Sequence, residues 1–486
     1  MLQISIKEIE SRLKFDNPWW ESKEGIDPRV EQYPRRFYFK IFFGLLAHRK
    51  VNRAVVLMGP RRVGKTVMVF HAIGELIRAG IKAEKILYLS LETPLYTGMS
   101  LEQIVQLFQK VHKHRREDQL YVFFDEVQYL KDWEVHLKSL VDSFAQYQFV
   151  ATGSSAAALR LKSSESGAGR FTDFILPPLT FAEYLVFIGR DKELIEEKPH
   201  PGLEAIDYMA KDITALNIEF VNYLNYGGYP EAVFSPTIQA DTARYIKSDI
   251  IDKVLLRDLP SLYGISDIQE LNKLFTTLAY NTGNEVSLEN LSQSAGVVKN
   301  TLKRYLDYLE AAFLIKRVHR IDQNARHFKR VTSFKVYLTN PSMRAALFGP
   351  IDMEAEGMGA LTETAIYSQW WHTSTDFLYY ARWPKGEVDI VSLDPKNQKP
   401  SWIVEVKWSD RPCEDLGLLD NCISFAQINK LKGSPLVTTR TRYGEVTVGG
   451  VGIRFRPSSE YAYTLGKNIL RYKLLTTPTV PGISRK

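Results

Sequence analysis

The pattern of apolar and polar positions changes its period along the chain. In the amino-terminal third, short apolar runs predict buried strands at 54–58, 85–91, 120–126 and 148–155. Amphipathic segments between these runs predict helices at 67–79, 100–112 and 135–144. Strands that alternate with helices indicate a parallel, doubly wound sheet, in which ligands bind at the carboxyl ends of the strands.

The rest of the chain follows other patterns. Residues 179–265 have a largely helical pattern, and two short helices predicted at 288–294 and 299–310 are separated by the tight turn Ala295-Gly296-Val297. Further along, apolar runs predict strands at 377–382, 386–391 and 402–407. We therefore expect an α/β domain, a helical segment, a helix-turn-helix and a second α/β domain, in that order.

A glycine-rich loop joins the first predicted strand to the first predicted helix. Its spacing fits the G-x-x-x-x-G-K-[ST] pattern, in which successive backbone N–H groups point at phosphate oxygens. The helix amino terminus adds its positive end, Lys65 reaches the β- and γ-phosphates, and the Thr66 hydroxyl holds Mg²⁺. We therefore expect a site for ATP and Mg²⁺ made of Gly59, Pro60, Arg61, Arg62, Val63, Gly64, Lys65, Thr66 and Val67.

Two acids end the third predicted strand. We expect Asp125 to bind Mg²⁺ through water and Glu126 to polarise the attacking water, because a carboxylate beside a core is costly unless it meets a cation. The alternative is that both acids cap the following helix. Ser154 or Ser155, after the next strand, is a candidate sensor of the γ-phosphate. Arg170 is either a finger on a neighbouring subunit's nucleotide or an ordinary surface arginine.

Positive charge is concentrated in the second helix of the helix-turn-helix and in the segment after it. The whole chain has a formal net charge of +7, and the ten Lys and Arg residues at 299–335 exceed the three acids there by the same seven. A local basic excess favours contact with a phosphate backbone, although such a fold also serves as a spacer or a protein interface. We predict DNA contacts by Lys299, Asn300, Lys303 and Arg304.

A second group of charged residues lies on the carboxyl-terminal strands. Because side chains alternate along a strand, Glu405 and Lys407 share one face, and Asp389 on the preceding strand is aimed at the same point. A divalent metal between Asp389 and Glu405 would offset the repulsion of the two acids, and Lys407 would orient or deprotonate a water or steady the charge on a phosphate. This set is what metal-dependent phosphodiester hydrolysis requires, and the alternative is a salt-bridged, exposed hairpin.

Length and composition limit the classes of protein to which this chain can belong. The chain has 486 residues and only two cysteines, Cys413 and Cys422, which are too few for a disulfide framework and are not spaced as zinc ligands. Its first residues do not resemble a signal peptide, and no apolar stretch is long enough to span a membrane. We therefore expect a cytoplasmic protein without a membrane partner.

These motifs together resemble a family of prokaryotic ATPases that joins an AAA+-like ATPase domain to a winged helix and a carboxyl-terminal domain of the PD-(D/E)xK nuclease fold. The resemblance rests on the glycine-rich loop, the helix-turn-helix, Asp125-Glu126-Val127-Gln128, Thr152-Gly153-Ser154-Ser155, Gly227-Gly228-Tyr229-Pro230, Gly386-Glu387-Val388-Asp389 and Glu405-Val406-Lys407. It implies that the nucleotide is bound and hydrolysed by Lys65, Thr66, Asp125 and Glu126. It also implies a nuclease-like centre that consists of Glu363, Asp389, Glu405 and Lys407.

The resemblance implies an α/β fold with six segments. These are a lead-in at 1–50, a P-loop ATPase core at 51–178, a helical lid or connector at 179–265, a winged helix-turn-helix at 266–335, a nuclease-like domain at 336–455 and a tail at 456–486. We also expect a homo-oligomer with nucleotide at its subunit interfaces.

Three functions remain open at this point. The first is an ATP-driven enzyme that binds DNA and cuts it with Mg²⁺ or Mn²⁺. The second is an ATP-gated DNA-binding or regulatory protein whose nuclease-like domain is inactive. The third is a nucleotide-dependent signalling or chaperone-like ATPase with a protein partner.

Overall fold

The chain folds into two compact units. The computed structural model describes residues 5–22, 25–47, 51–96, 98–153, 169–199, 206–328, 333–373 and 378–476. One unit comprises residues 1–177 with 473–486, and the other comprises residues 178–472. The segments expected to form a lid, a winged helix and a nuclease-like domain therefore lie within one compact unit.

The first unit is built on a parallel sheet. Its described strands, in the spatial order β2-β3-β4-β1-β5, pair in parallel throughout. They are Ala54–Met58 (β1), Ile86–Ser90 (β2), Tyr121–Asp125 (β3), Gln148–Gly153 (β4) and Phe171–Ile175 (β5). The apolar runs correctly predicted β1 to β4, which are almost entirely buried. The edge strand β5 was missed, because it mixes buried, half-buried and exposed positions and has no continuous apolar run.

Three helices of this unit, Lys65–Arg78, Leu101–His112 and Trp133–Ser143, lie where the periodicity predicts them. The predicted helix at 135–144 begins two residues earlier in the structure. The helices are Ile6–Asp16 (α1), Pro28–Glu31 (α2), Phe39–Ala47 (α3), Lys65–Arg78 (α4), Leu101–His112 (α5) and Trp133–Ser143 (α6). Short 3₁₀ turns occupy Pro18–Trp20, Ala83–Lys85, Pro94–Tyr96 and Val127–Tyr129.

The amino-terminal segment covers the edge strand β2. The Asn17 amide donates to the Tyr88 carbonyl at 2.7 Å and accepts from the Tyr88 N–H at 2.6 Å. The indoles of Trp19 and Trp20 both donate to the Ile86 carbonyl, at 3.2 and 2.8 Å. These bonds satisfy backbone groups that an edge strand would otherwise leave unpaired. The lead-in is therefore part of the same unit as the sheet.

The second unit is built on a mixed sheet of spatial order β15-β16-β14-β13-β12-β11-β9-β10-β8 and has a separate hairpin, β6-β7. Its strands are Ile195–Pro199 (β6), Ile206–Ala210 (β7), Glu285–Ser287 (β8), Ile315–Ile321 (β9), Ser333–Leu338 (β10), Leu378–Trp383 (β11), Gly386–Leu393 (β12), Pro400–Glu405 (β13), Leu436–Thr439 (β14), Gly444–Val448 (β15) and Val451–Pro457 (β16). The hairpin lies in a segment for which the sequence predicts mainly helix.

The strands after the helix-turn-helix belong to the same sheet as the nuclease-like strands. β9 pairs antiparallel with β10 on one side and parallel with β11 on the other, where Tyr379 lies opposite His319 and Ala381 opposite Ile321. The predicted boundary between residues 335 and 336 therefore falls within β10, in the interior of one continuous sheet.

The following helices lie in the second unit, except that the last of them ends in the first unit, which includes residues 473–486. They are Phe181–Phe187 (α7), Asp191–Leu194 (α8), Ile213–Tyr226 (α9), Pro230–Phe234 (α10), Pro236–Ala240 (α11), Leu259–Tyr263 (α12), Ile268–Tyr280 (α13), Leu288–Ala295 (α14), Lys299–Ala311 (α15), Ser342–Phe348 (α16), Met358–Trp370 (α17), Asp420–Ile428 (α18) and Ser458–Thr476 (α19). π-Helical turns occupy Ala243–Asp252 and Val254–Asp258, and 3₁₀ turns occupy Arg411–Cys413 and Leu416–Leu419. Within the described ranges, no helix has the length and apolarity to cross a bilayer.

Candidate functional site

The glycine-rich loop connects β1 to α4 and needs both of its glycines. A Cβ at Gly59 would lie 2.2 Å from the Leu176 carbonyl oxygen, which is far inside contact distance. Gly64 precedes α4 and has a φ of 92°, a left-handed conformation that favours glycine. The loop backbone can therefore curl tightly at the carboxyl end of β1, where the sequence places the phosphate site.

Lys65 is folded back over this loop. Its ammonium donates to the carbonyls of Gly59 at 3.0 Å and Pro60 at 2.7 Å, and the residue is only 5% exposed. A phosphate can replace these neutral carbonyls as the partner of the buried ammonium, because phosphate oxygens are stronger acceptors. The other predicted phosphate-loop residues lie between β1 and the first turn of α4, as the motif requires.

Asp125 is the centre of a hydrogen-bond network at the carboxyl end of β3. Its carboxylate accepts from the Thr66 hydroxyl at 2.8 Å, from the Tyr88 hydroxyl at 2.9 Å and from the Thr152 hydroxyl. Burial and the neighbouring Glu126 raise the pKa of Asp125, and the three donors oppose that rise. A buried carboxylate beside the Thr66 hydroxyl suits a hydrated Mg²⁺, so the two predicted Mg²⁺ residues lie together.

Glu126 follows Asp125 with a left-handed backbone, at a φ of 54°. Its N–H donates to the Thr152 hydroxyl oxygen at 3.3 Å, and its carboxylate accepts from the Gln128 side chain. Thr152 therefore joins both acids to β4. A sensor was predicted at Ser154 or Ser155, and both positions lie outside the described residues. The roles of Thr152 and Tyr88 were not predicted, although these residues lie on β4 and β2, the two strands next to β3.

Arg170 lies immediately before β5, at the edge of the sheet opposite the phosphate loop. The Ala54 N–H donates to its carbonyl at 2.9 Å, whereas the loop follows Met58 at the other end of β1. Its guanidinium pairs with Asp142, and the two side chains are 43% and 44% exposed. Arg170 is thus partly accessible but distant from the phosphate loop of its own chain, and its role as a finger stays a prediction.

Replacing Tyr88 with phenylalanine should slow ATP turnover. The change removes one of the donors that hold the Asp125 carboxylate, a loss of about 1–2 kcal/mol and thus about 5–30-fold in rate. Steady-state ATPase assays would measure this effect. Tyr121→Phe, on the neighbouring strand β3, removes a hydroxyl that does not contact Asp125 and should turn over at the wild-type rate. Equal rates for all three proteins would contradict a role for Tyr88.

The predicted nuclease-like residues converge in the second unit. Glu363 lies on α17, Asp389 on β12 and Glu405 at the end of β13, and each is less than 10% exposed. The Lys407 ammonium is 2.7 Å from Glu405 Oε1 and 3.5 Å from Asp389 Oδ2. The predicted alternative, an exposed salt-bridged hairpin, does not describe these carboxylates, because all three are buried.

A lysine that sequence reasoning assigned to the basic surface lies in this centre instead. Lys335, on β10, is 3% exposed, and its ammonium contacts Glu387 at 2.6 Å, Glu363 at 2.9 Å and Asp389 at 3.4 Å. Its inclusion in the exposed positive charge at 299–335 was therefore wrong. The only sequence signal was its alternation with Phe334 and Val336, which is also compatible with a solvent-facing lysine.

Burial and neighbouring charges raise the pKa of two acids of this centre and lower the pKa of the third. Burial raises the pKa of Glu363 to about 7, although Lys335 and the Tyr337 hydroxyl favour its charged form. Burial, with the charge of Asp389, raises the pKa of Glu405 to about 7. Burial would also raise the pKa of Asp389, but Lys407, Lys335 and the Val406 N–H hold it below its usual value.

One carboxylate oxygen of the centre is suited to a metal ion. Glu405 Oε2 is buried and has no hydrogen-bond partner within the described part of the chain. No group of three His, Cys, Asp or Glu side chains among the described residues is arranged to hold a metal. Asp389 and Glu405 would therefore supply two ligands to a divalent ion, with water or a bound phosphate supplying the others.

The second helix of the helix-turn-helix, α15, has one buried and one exposed face. Leu302, Tyr305, Leu306 and Leu309 are buried, as predicted, and Lys299, Asn300, Lys303 and Arg304 are exposed. Lys299 pairs with Glu289. Arg317 is bound by Glu310 and Asp307, and residues 329 and 330 lie outside the described ranges. Among the described residues, Lys299, Arg317 and Lys335 therefore contribute less exposed positive charge than the sequence count indicates.

Comparisons with known proteins agree with the amino-terminal site. Residues 51–185 match the AAA domain family, and residues 217–354 match a domain of unknown function (DUF8612). With the geometry of the phosphate loop, the first match makes residues 51–185 an AAA+-like ATPase domain. Neither family covers half of the chain.

The chain also resembles individual proteins. It is 26% identical to an uncharacterized protein of Haemophilus influenzae over 310 residues, or 63% of this chain and 72% of that protein. It is 24% identical to the uncharacterized protein MJ1544 of Methanocaldococcus jannaschii over 270 residues, or 54% of this chain and 56% of that protein. AMPPCP-bound DnaA from Aquifex aeolicus is a structural neighbour with 11% identity and a TM-score of 0.30, covering 58% of this chain and 92% of DnaA. A TM-score of this size does not indicate a shared overall fold.

Proposed function

We propose that this protein binds and hydrolyses ATP, binds DNA and cleaves DNA with a divalent metal. The observation that carries the cleavage proposal is the convergence of Asp389, Glu405 and Lys407 in one buried centre. That centre lies on the same sheet as the strands that follow the basic helix α15. The helix-turn-helix with β8, β9 and β10 is the proposed winged helix, and the strands from β11 onwards form the proposed nuclease-like fold.

ATP hydrolysis is supported by the arrangement around the phosphate loop. Lys65 would carry positive charge to the β- and γ-phosphates, and Thr66 and Asp125 would hold the hydrated Mg²⁺. Glu126, at the end of β3, would orient the attacking water. Arg170 would reach the nucleotide of a neighbouring subunit in a homo-oligomer, since it lies away from the loop of its own chain.

DNA cleavage would use the charged groups of the buried centre. Asp389 and Glu405 would bind Mg²⁺ or Mn²⁺, and the ion would polarise the scissile phosphate and lower the pKa of a bound water. The Lys407 ammonium lies 2.7 Å from Glu405, and the Lys407 side chain is 37% exposed, so this lysine can both hold the carboxylate and meet a phosphate from solvent. Its part would be to orient the attacking water or to stabilise charge on the phosphate.

DNA binding should depend on the exposed face of α15. Lys303→Ala and Arg304→Ala should each weaken binding to duplexes of any sequence and lower the slope of log K against log salt by about 1, because each removes one phosphate contact. Fluorescence anisotropy over a salt series would measure both effects. Lys273→Ala, on the exposed surface of α13, is the matched control and should keep the wild-type slope. A slope that is unchanged in both α15 variants would contradict this DNA surface.

A specific observation favours a second function, an ATP-gated DNA-binding protein without cleavage. Two lysines, Lys335 and Lys407, already neutralise part of the carboxylate centre, and the described residues offer no set of three metal-binding acids or histidines. In that case α15 would bind DNA, and the carboxylate centre would not cut it.

A nuclease assay separates the two functions. Plasmid and linear DNA would be incubated with Mg²⁺ or Mn²⁺, each with ATP, with ADP and without nucleotide. We expect strand scission that requires the metal. Intact DNA under every condition, together with an affinity for DNA that differs between ATP and ADP, would favour the second function instead.

A further inference from the structure

Lys335 is the most completely surrounded charged group of the carboxylate centre. It enters from β10, and its ammonium lies within 3.4 Å of three different carboxylates, those of Glu387, Glu363 and Asp389. An ammonium has three N–H donors, so each donor has a carboxylate within reach. The Tyr380 ring lies beside it, 5.4 Å from the nitrogen to the ring centroid. A lysine this deeply buried is stable only because these partners offset its lost hydration.

The two lysines of the centre contact different oxygens of Asp389. Lys335 lies 3.4 Å from Oδ1, whereas Lys407 lies 3.5 Å from Oδ2. Glu405 pairs with Lys407, and no ion pair joins it to Lys335 in the part of the chain that the structure describes. Asp389 therefore divides the centre into a Lys335 side, with Glu363 and Glu387, and a Lys407 side, with Glu405.

The Lys335 side has three acids around one cation, the Lys335 ammonium, and with the ammonium in place these acids are not arranged to hold a metal ion. Three carboxylates around one point would ordinarily attract a divalent ion, and two-metal sites for phosphoryl chemistry hold their ions about 3.5–4 Å apart. Here the ammonium takes the position among Glu363, Glu387 and Asp389 Oδ1. On the other side, the buried and unpartnered Glu405 Oε2 leaves a ligand oxygen available.

We propose that Lys335 is a resident cation that takes the place of a second metal ion, so that the centre binds one divalent ion, at Asp389 and Glu405. This inference rests on the proposed function, because it takes that pair as the metal site. Glu363 then serves as a positioning residue. It holds Lys335 at 2.9 Å together with the Tyr337 hydroxyl, which donates to the same carboxylate oxygen at 2.5 Å, and it does not contact the metal.

Counting bound Mn²⁺ ions tests this inference without any assay of activity. The full chain, carrying Asp125→Asn to remove the phosphate-loop metal and without nucleotide, would be titrated with Mn²⁺ and followed by electron paramagnetic resonance. We expect one Mn²⁺ per chain with an uncoupled spectrum. Adding Glu405→Gln should abolish this binding. Adding Lys335→Gln should raise the count to two, with the spectrum of a coupled pair, because three carboxylates lose their resident cation.

Two further variants make the test specific. Lys316→Gln removes the same charge from the neighbouring strand β9 and should leave one Mn²⁺ bound. Glu363→Gln should also keep one Mn²⁺, since its carboxylate holds Lys335. Circular dichroism would show whether Lys335→Gln folds. If it does not, the inference is tested by the other two results, an uncoupled Mn²⁺ spectrum in the parent chain and one bound Mn²⁺ in Glu363→Gln.

The contradicting outcomes differ for the inference and for the proposed function. A coupled pair of Mn²⁺ ions in the parent chain, or a single ion of unchanged affinity in Lys335→Gln, would overturn the role of Lys335 and leave the Asp389–Glu405 metal site standing. Loss of the ion in Glu363→Gln would have the same meaning. No bound Mn²⁺ in any variant would overturn both this inference and the proposed metal-dependent cleavage.

Discussion

Lys65→Ala is expected to abolish ATP turnover, with a loss of roughly 10²–10³-fold, because the ammonium is the positive charge that the loop brings to the β- and γ-phosphates. In the structure that ammonium donates to the Gly59 and Pro60 carbonyls, so it is held at the phosphate loop. The charge that develops on the transferred phosphoryl group would then lack one of the cations that offset it. Phosphate release, measured with and without DNA, would detect the loss.

A matched control distinguishes this loss from a general effect of removing a lysine. Lys82→Ala removes an exposed lysine that follows α4 in the same unit and should keep the wild-type rate. Lys65→Ala also leaves two loop carbonyls without their donor, so its thermal unfolding must be measured beside the rate. A folded Lys65→Ala protein that turns over ATP within twofold of the wild type would refute the nucleotide site.

Lys407→Ala is expected to remove metal-dependent DNA cleavage, again by roughly 10²–10³-fold, because the cation beside the reacting phosphate is lost. Two physical effects contribute to this loss. First, the ammonium no longer stabilises the charge on the phosphate. Second, Glu405, whose pKa is already raised to about 7, loses the 2.7 Å contact with Lys407 that favours the charged form needed for metal binding. Cleavage of supercoiled plasmid with Mg²⁺ and with Mn²⁺ would measure this loss.

The control for this experiment is a lysine in the adjacent β12–β13 turn. Lys396→Ala removes an exposed positive charge near the same two strands and should leave the cleavage rate unaltered. Binding of DNA without divalent metal should persist in Lys407→Ala, since α15 supplies the proposed phosphate contacts. Cleavage at the wild-type rate by Lys407→Ala would show that the activity arises elsewhere, or from a contaminant.

The phosphate loop could be predicted from the sequence because it is a local feature. Its spacing, the apolar run before it and the periodicity after it lie within one continuous segment, and the structure has β1 and α4 at those places. The third and fourth strands were predicted for the same reason. Asp125 and Glu126 were identified because an acid that ends a buried strand stands out from its neighbours in the chain.

The partners of Asp125 could not be predicted in this way. Tyr88 and Thr152 come from β2 and β4, which lie on either side of β3 in space but are separate in the chain. Which polar side chains meet at the edge of a sheet depends on strand order and register. Neither follows from the pattern within a single strand.

By itself the sequence determined the local structural features of this protein. These are the glycine-rich loop, the acids that end strands, and the helix with one apolar and one basic face. Each depends on residues within a few positions of one another. Only the tertiary structure decided that the strands after the helix-turn-helix continue into the sheet of the carboxylate centre, and that Lys335 lies inside it. The three carboxylates that hold Lys335 come from residues between 28 and 54 positions away, so its burial depends on strand pairing rather than on its neighbours in the chain.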